Sequence, residues 1–415
     1  MPDTVPTSPT VTHLRSPRAI RERCHALLEL GLADRLAHFR VDMARLPGVA
    51  DFVLDVTREA YPTLDIPVHS RWGHFDVGGV QRNALLDSRL AGLTPAERAR
   101  AKLDLVITSV LLDAGSGPAW KYVEPGSGGT FARSEGLAVA SFHMFLAGAF
   151  SSDPARPLQV DAEGLRRLSR DALAEGFQVT ATNPLAGLEG RLELLHGLGR
   201  VLPRPGALYD LLGGAGRQAT ATEVLGQVLE SLGPIWPGRI TLDGVNLGDV
   251  WPHSALGATD HPDSLVPFHK LSQWLTYSLL EPLAEGGITV TALDALTGLP
   301  EYRNGGLLVD TGLLVPREAR LLQDVFTPGE EPIVEWRALT VALLDELGKR
   351  VRERLGMTSA QLPLAKVLQG GTWSAGRKIA AQKRSGGPRP SGSTATARCS
   401  EFQLRRFSTT TGLGG

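Results

Sequence analysis

Along most of the chain, apolar residues recur at three- and four-residue intervals, the period of a helix with one buried face. "SPRAIRERCHALLELGLADRLAHFRVD" (16–42) adds a Ser cap and a Pro in the first turn, and "TPAERARAKLDLVITSVLLDA" (94–114) repeats that opening; both are predicted amphipathic helices. The same spacing predicts helices in "SEGLAVASFHMFLAGAF" (134–150), "DAEGLRRLSRDALAEGF" (161–177), "PLAGLEGRLELLHGLGRVL" (184–202), "ATEVLGQVLESL" (221–232), "SLVPFHKLSQWLTYSLLEPLAEG" (264–286) and "IVEWRALTVALLDELGKRVRERLG" (333–356). Strand candidates are few and short: "FDVGGVQR" (75–82), "RITLDGV" (239–245) and "GGLLVD" (305–310). Strands and helices do not alternate, which disfavours a doubly wound sheet. The expected fold class is mainly α with a few short strands.

Composition narrows the class further. At 415 residues with 42% hydrophobic content, the chain can bury a substantial core. A formal charge of -1 gives no field that would collect nucleic acid or an anionic membrane, so any anionic ligand must be held by a local cluster. Cys24 and Cys399 lie far apart, which provides neither a disulfide framework nor a cysteine zinc site. No apolar run reaches the roughly 20 residues that span a bilayer, and "MPDTVPTSPTVTHLRS" lacks the apolar core of a signal peptide. These features predict a cytoplasmic protein with no nucleic-acid or membrane partner.

No repeat or long linker interrupts residues 17 to about 380, so one helical body of one or two lobes is expected over 16–385. Residues 1–15, rich in Pro, Thr and Ser, are predicted to be a disordered tail, as are residues 386–415, where Ser, Thr, Gly and Arg replace periodic apolar positions.

Strong catalytic motifs are missing: there is no P-loop, HExxH, G-x-S-x-G or Cys/His pair at zinc spacing. "GSGPAWKYVEPGSGGTF" (115–131) holds Lys121 in a glycine-rich stretch and reads as a surface loop or, less well, a phosphate loop. Asp260, His261 and Asp263 in "ATDHPDS" suit a self-capped turn better than a metal site. Arg71, His74 and Asp76 in "SRWGHFDVGG" suit either a site or a satisfied structural cluster.

The region 239–340 is richer. "LDGVNLGDVWPH" sets Asp243, Asn246, Asp249, Trp251 and His253 close together, a mixture that suits a planar polar ligand or a capped turn with an exposed tryptophan. In "FHKLSQWL", His269 and Gln273 share a helix face with Lys270 beside them. "PEYRNGG" places Glu301, Tyr302 and Arg303 in an otherwise apolar segment. Unpaired burial of such charges would cost several kcal/mol, so they must pair or face a cleft. Glu335 and Arg337 raise the same question at the start of an apolar helix: either a cap with a surface charge, or a clamp for ligand hydroxyls.

"LVPFHKLSQWLTYSLLEPL", "LTGLPEYRNGGLLVDTGLL", "IVEWRALTVALLDEL" and "LPLAKVLQGGTWSAGRKIA" closely resemble a family of uracil-catabolism proteins of fungi and bacteria, over residues 12 to about 380. That pathway converts uracil to its nucleotide, opens the pyrimidine ring and releases urea. A fainter resemblance is to the queuosine-salvage N-glycosidases, helical proteins of a DNA-glycosylase-like (helix-hairpin-helix) fold that cleave a base from its ribose. Their motifs are matched in order by Phe268, His269, Lys270 and Gln273; by Leu296 and Thr297, then Glu301, Tyr302 and Arg303; and by Glu335, Trp336 and Arg337. Where those enzymes carry aspartate before tyrosine-arginine, this chain carries Glu301, and "NGG" replaces their proline-glutamine.

Together the two resemblances imply an N-ribosidase that hydrolyses ribosylurea or its 5-phosphate to urea and a ribose species, with no metal and no cofactor. Glu301 would be the carboxylate at the anomeric carbon and Asp249 a second catalytic acid that accepts from the urea amides. Trp251, His253, His269, Lys270, Gln273, Tyr302, Arg303, Glu335 and Arg337 would bind the nucleoside-like substrate, with contact to other uracil-pathway enzymes as a further expectation. Two alternatives stay open: a metal-dependent amidohydrolase acting on a ring-opened pyrimidine, and a non-catalytic binding or regulatory partner of the ring-opening enzyme.

The tail departs from the family, whose members end shortly after "GTWSAGRKIA" on a segment reading Ser-Asp-Gly-Thr-Val-Phe. Synonymous codons for "PSGSTATARCSE" (390–401), read two bases later, can spell Leu-Arg-Ile-His-Ser-Asp-Gly-Thr-Val-Phe and a stop. This points to a frameshift from about residue 386.

Overall fold

Helix starts follow the capping chemistry of the sequence. Ser16 accepts from the Ala19 amide with Pro17 in the first turn, and Thr220 and Glu223 form a reciprocal capping box at the start of the Ala221–Leu232 helix. The computed structural model describes residues 8–236 and 239–383 and is mainly α. Contacts divide the described residues into two units. The first draws on residues within Met1–His69, Gly238–Trp274 and Ala292–Thr396, and the second on residues within Ser70–Pro237 and Leu275–Thr291.

The first unit is organised on the Glu331–Leu355 helix, whose residues 333–344 are all buried. A helix buried on every side has no solvent face for charge, so Glu335 and Arg337 need partners from neighbouring elements. Packed against it are the helices Pro17–Leu32, Leu46–Ala60 and Tyr302–Asp310. Two antiparallel strand pairs add edges: Phe39–Val41 with Leu314–Pro316, and Val250–Pro252 with Leu265–Pro267.

In the second unit the Pro95–Leu111 helix is equally enclosed. Its buried Lys102 is paired with Asp87 (2.7 Å) and Glu285 (2.5 Å), and its buried Asp104 accepts from Arg204 (2.7 Å) and the Gly206 amide (2.7 Å).

Several elements differ from expectation, each for a local reason. "GGLLVD" belongs to the Tyr302–Asp310 helix and not to a strand: Glu301 caps it, and its glycines permit close packing. A Cβ on Gly305 would stand 2.4 Å from the Trp336 ring. "FDVGGVQR" forms short turns leading into the Arg82–Leu90 helix, with Gly78 at φ 75°. "RITLDGV" is a hairpin whose strands, Thr241–Leu242 and Val245–Asn246, are two residues long.

The helix expected over 161–177 breaks into Ala162–Arg167 and Arg170–Gly176, because Leu168 is extended and Ser169 starts a new cap. "WKYVEPGSGGTFA" is an antiparallel hairpin, Lys121–Val123 against Thr130–Ala132. Near the N-terminus, residues Pro9–Leu14 are helical, not a disordered tail. Val11 and Leu14 pack on Leu247, Val250 and Leu265, giving the segment an apolar anchor. The expectations for residues 386–415, including Cys399, lie outside the described residues. No described helix is long and apolar enough to cross a membrane.

Candidate functional site

Arg337 resolves its burial through Asp249, the residue just before the Val250–Pro252 strand. Nη1 donates to Oδ1 at 3.0 Å and Nη2 to Oδ2 at 2.7 Å, a two-pronged pair. Trp251 Nε1 also donates to Oδ1 (2.8 Å), and the Lys270 amide to Oδ2 (3.2 Å). Burial opposes ionisation of Asp249, but the guanidinium charge and these donors overcome it and hold the carboxyl well below the usual carboxylate range. An incoming urea amide would have to compete with four donors already in place.

Backbone geometry wraps the same residue. The Phe268 amide donates to the Asp249 carbonyl at 2.9 Å, and His269 turns at φ 43°, a left-handed conformation uncommon for a side-chain-bearing residue. This turn starts the Lys270–Glu285 helix and stacks Phe268 on the Arg337 guanidinium at 4.0 Å. His269 Nε2 reaches the Leu14 carbonyl (2.8 Å), and burial pushes its pKa down. Trp251 is packed between the Arg239 guanidinium, 4.7 Å from its ring, and Gly329, where a Cβ would stand 2.3 Å away.

Glu335 has a different environment. Oε1 accepts the His38 and Phe39 amides (3.1 and 2.7 Å), fastening the Phe39–Val41 strand to the central helix. Oε2 stands 3.4 Å from His253 Nε2 in a fully buried pair. Both side chains are buried, and neither His253 Nε2 nor Glu335 Oε2 has a hydrogen-bond partner among the described residues.

Gln273, also fully buried, ties the Lys270 helix to the segment that leads into Glu301. Its oxygen accepts from the Thr297 amide (2.9 Å), and its nitrogen donates to Thr297 Oγ1 (2.9 Å) and the Phe268 carbonyl (3.1 Å).

Four residues beyond Thr297, Glu301 caps the Tyr302–Asp310 helix. Oε2 accepts the Arg303 amide (2.8 Å) and Oε1 the Asn304 amide (2.7 Å). Burial raises its pKa, against the pull of those amides and of the Lys270 and Arg303 charges. Neither cation closes an ion pair on it. Among the described residues the Lys270 ammonium makes no hydrogen bond, and Arg303, 7% exposed, stacks on Tyr302 at 4.8 Å with its Nε unpartnered.

The structure therefore brings Asp249, Trp251, Phe268, Lys270 and Arg337 into one group, and Glu301, Lys270, Tyr302 and Arg303 into another. Lys270 belongs to both, through its backbone and its side chain. His253 and Glu335 form a separate buried pair.

Of the other sequence candidates, Arg71 is wholly buried in the second unit. It donates to Ser109 (2.8 Å) and the Ser134 carbonyl (3.1 Å) beside Asp113, as a structural cluster would. His261 accepts the Asp263 amide (3.3 Å) in a turn. No group of three or more His, Cys, Asp or Glu among the described residues is arranged to hold a metal ion.

Sequence reasoning missed His69, Gln369 and Tyr61, which the first unit links in one chain of hydrogen bonds. The available signal was "LQGGT", Leu368–Thr372, which forms a π-helical turn of the kind that often marks functional sites.

These features define a mainly helical protein in which, among the described residues, Lys270 and Arg303 form no ion pair where two helices begin, at Lys270 and just after Glu301. The chain belongs to the family described as Protein of unknown function (DUF1688), which matches residues 13–392. It is similar to Protein urg3 of Schizosaccharomyces pombe, 42% identical over 388 residues covering 90% of this chain and 95% of that one. It is also similar to Uracil catabolism protein 4 of Lachancea kluyveri, 40% identical over 390 residues covering 84% and 88% respectively.

Proposed function

We propose that this protein works in uracil catabolism as an N-ribosidase that hydrolyses ribosylurea or its 5-phosphate to urea and a ribose species. The name of the Lachancea relative supports the pathway, and the resemblance in motif order to queuosine-salvage N-glycosidases supports the reaction. The observation that carries the reading is the contrast between closed and open charges. Asp249–Arg337 is a satisfied pair, whereas Glu301 feels the charges of Lys270 and Arg303 with no ion pair formed among the described residues.

Cleavage of an N-glycosidic bond develops positive charge on the sugar and negative charge on the leaving nitrogen. Burial favours protonated Glu301, the form that hands a proton to that nitrogen. Lys270 and Arg303 favour the carboxylate that remains afterwards. The same two cations are the groups available for a substrate phosphate. Asp249 serves as an organiser, holding Arg337 and the first amide of the Lys270 helix.

The test is urea release by the purified protein from ribosylurea and from its 5-phosphate. Glu301→Gln should lower kcat by about 10²–10⁴-fold, the range of general acid catalysis. A folded wild-type protein that releases no urea from either substrate overturns the reading.

A further inference from the structure

Asn304 stands in the first turn of the Tyr302–Asp310 helix and is 2% exposed. Two contacts place its side chain beside the candidate acid. Its amide donates to Glu301 Oε1 at 2.7 Å, and its Nδ2 reaches back to the Leu299 carbonyl at 3.1 Å. That carbonyl also accepts the Glu301 amide (2.8 Å), so one oxygen anchors both residues.

The second contact fixes which way the carboxamide faces. A reversed group would set its oxygen against the Leu299 carbonyl oxygen, so Nδ2 holds that anchor and Oδ1 points away from it. Oδ1 is buried and accepts no hydrogen bond among the described residues. A buried acceptor left unmatched is costly, and its retention calls for a partner that the chain itself does not supply. Packing keeps the turn in place: a Cβ on Gly305 would stand 2.4 Å from the Trp336 ring, and one on Gly376 2.2 Å from the Arg303 carbonyl oxygen. The unmatched acceptor is therefore held next to Glu301.

In the N-ribosidase reading Glu301 meets the glycosidic nitrogen, so a group beside it meets whatever that nitrogen carries. In a ureido group the terminal NH2 lies two bonds away and turns one hydrogen back toward the glycosidic nitrogen. In an intact uracil ring a ring carbon takes that direction, and in an acetamide a methyl group takes the place of the NH2. Only the ureido group offers a donor there.

We propose that Asn304 Oδ1 accepts the terminal N–H of the ureido leaving group and makes the site selective for ring-opened substrates. The proposal rests on the N-ribosidase reading and names the group by which that site knows its substrate. Asn304 takes no part in proton transfer. It binds the leaving group, and a competitor without the N–H leaves its oxygen buried and unpaired.

The experiment measures ribose 5-phosphate formed from ribosylurea 5-phosphate and from N-ribosylacetamide 5-phosphate, for wild type and Asn304→Leu. The ratio of kcat/KM between two substrates does not depend on how much enzyme is folded, so a merely structural role for Asn304 would leave it unchanged. Wild type should favour the urea over the acetamide, beyond the ratio of the uncatalysed hydrolyses, by about 10–100-fold, the effect of one unmatched buried acceptor. Asn304→Leu should lose that excess, and Asn304→Ala gives the same comparison if the leucine variant does not fold. A wild type without the excess, or a variant that keeps it, overturns the proposal while the N-ribosidase reading survives.

If wild type cleaves neither compound, the N-ribosidase reading fails and calorimetric titration with the same two compounds decides separately. Tighter binding of ribosylurea 5-phosphate, lost in Asn304→Leu, retains the ureido contact and removes only the reaction. Equal affinities, a preference unchanged in the variant, or no binding overturns it.

Discussion

Asp249 and Arg337 meet side-on, with two hydrogen bonds of 3.0 and 2.7 Å, and through this pair the most buried helix of the first unit grips the first turn of the helix that presents Lys270. The pair accounts for two charges that an apolar surround would otherwise exclude. It leaves the neighbouring Lys270 ammonium uncommitted.

Removing one partner should be costly. Arg337→Ala leaves a largely buried carboxylate without its ion-pair partner and should destabilise the protein by about 3 kcal/mol, the low end for such a pair, in chemical denaturation. Arg337→Lys should recover only part of that loss, because a point charge cannot replace the two-pronged contact.

Acid sensitivity follows from the same site. The Asp249 pKa is depressed in the folded state, so its contribution is fully present above the unfolded value of about 3.9 and is lost as pH falls toward the folded one. His69 and His269 are also depressed, which adds a loss beginning below an unfolded value of about 6.5. Denaturation midpoints measured from neutral to acidic pH should fall in both windows. His269→Gln should flatten the upper one.

Gly376 is where the Trp373–Lys383 helix crosses the start of the Tyr302–Asp310 helix, and a Cβ there would stand 2.2 Å from the Arg303 carbonyl oxygen. In an exposed helix, Gly→Ala stabilises by roughly 0.5–1 kcal/mol. Here Gly376→Ala should destabilise by about 1–3 kcal/mol and displace Arg303, raising KM for a phosphorylated substrate. A raised melting temperature would show that the two helices are not in this contact.

Gln273→Leu should strand the Thr297 amide inside the protein, at a cost of about 1–3 kcal/mol. Because Thr297 leads directly into Glu301, hydrogen exchange should accelerate across 296–304. Urea release should fall by more than the loss of folded protein explains.

Apolar periodicity made most helices legible: Ala221–Leu232 coincides with its predicted span, and Glu331–Leu355 extends its own by only two residues at the start. It failed at "GGLLVD", where glycines that suggested a strand allow a helix to approach Trp336, a contact made across thirty-one positions of sequence. Glu301, Lys270 and Arg303 stood out because charge within an apolar run demands an explanation. The same demand fell on Asp249, Glu335 and Arg337, and sequence could not separate a clamp for ligand from a clamp for the fold.

Local spacing by itself determined the helical class and marked the charged positions, because both depend on neighbours a few residues away. Which charges close on one another was decided only by the tertiary structure, since Asp249 meets Arg337 at a separation of 88 residues and His69 meets Gln369 at 300. A hydrogen bond depends on distance in space, and chain packing alone sets that distance.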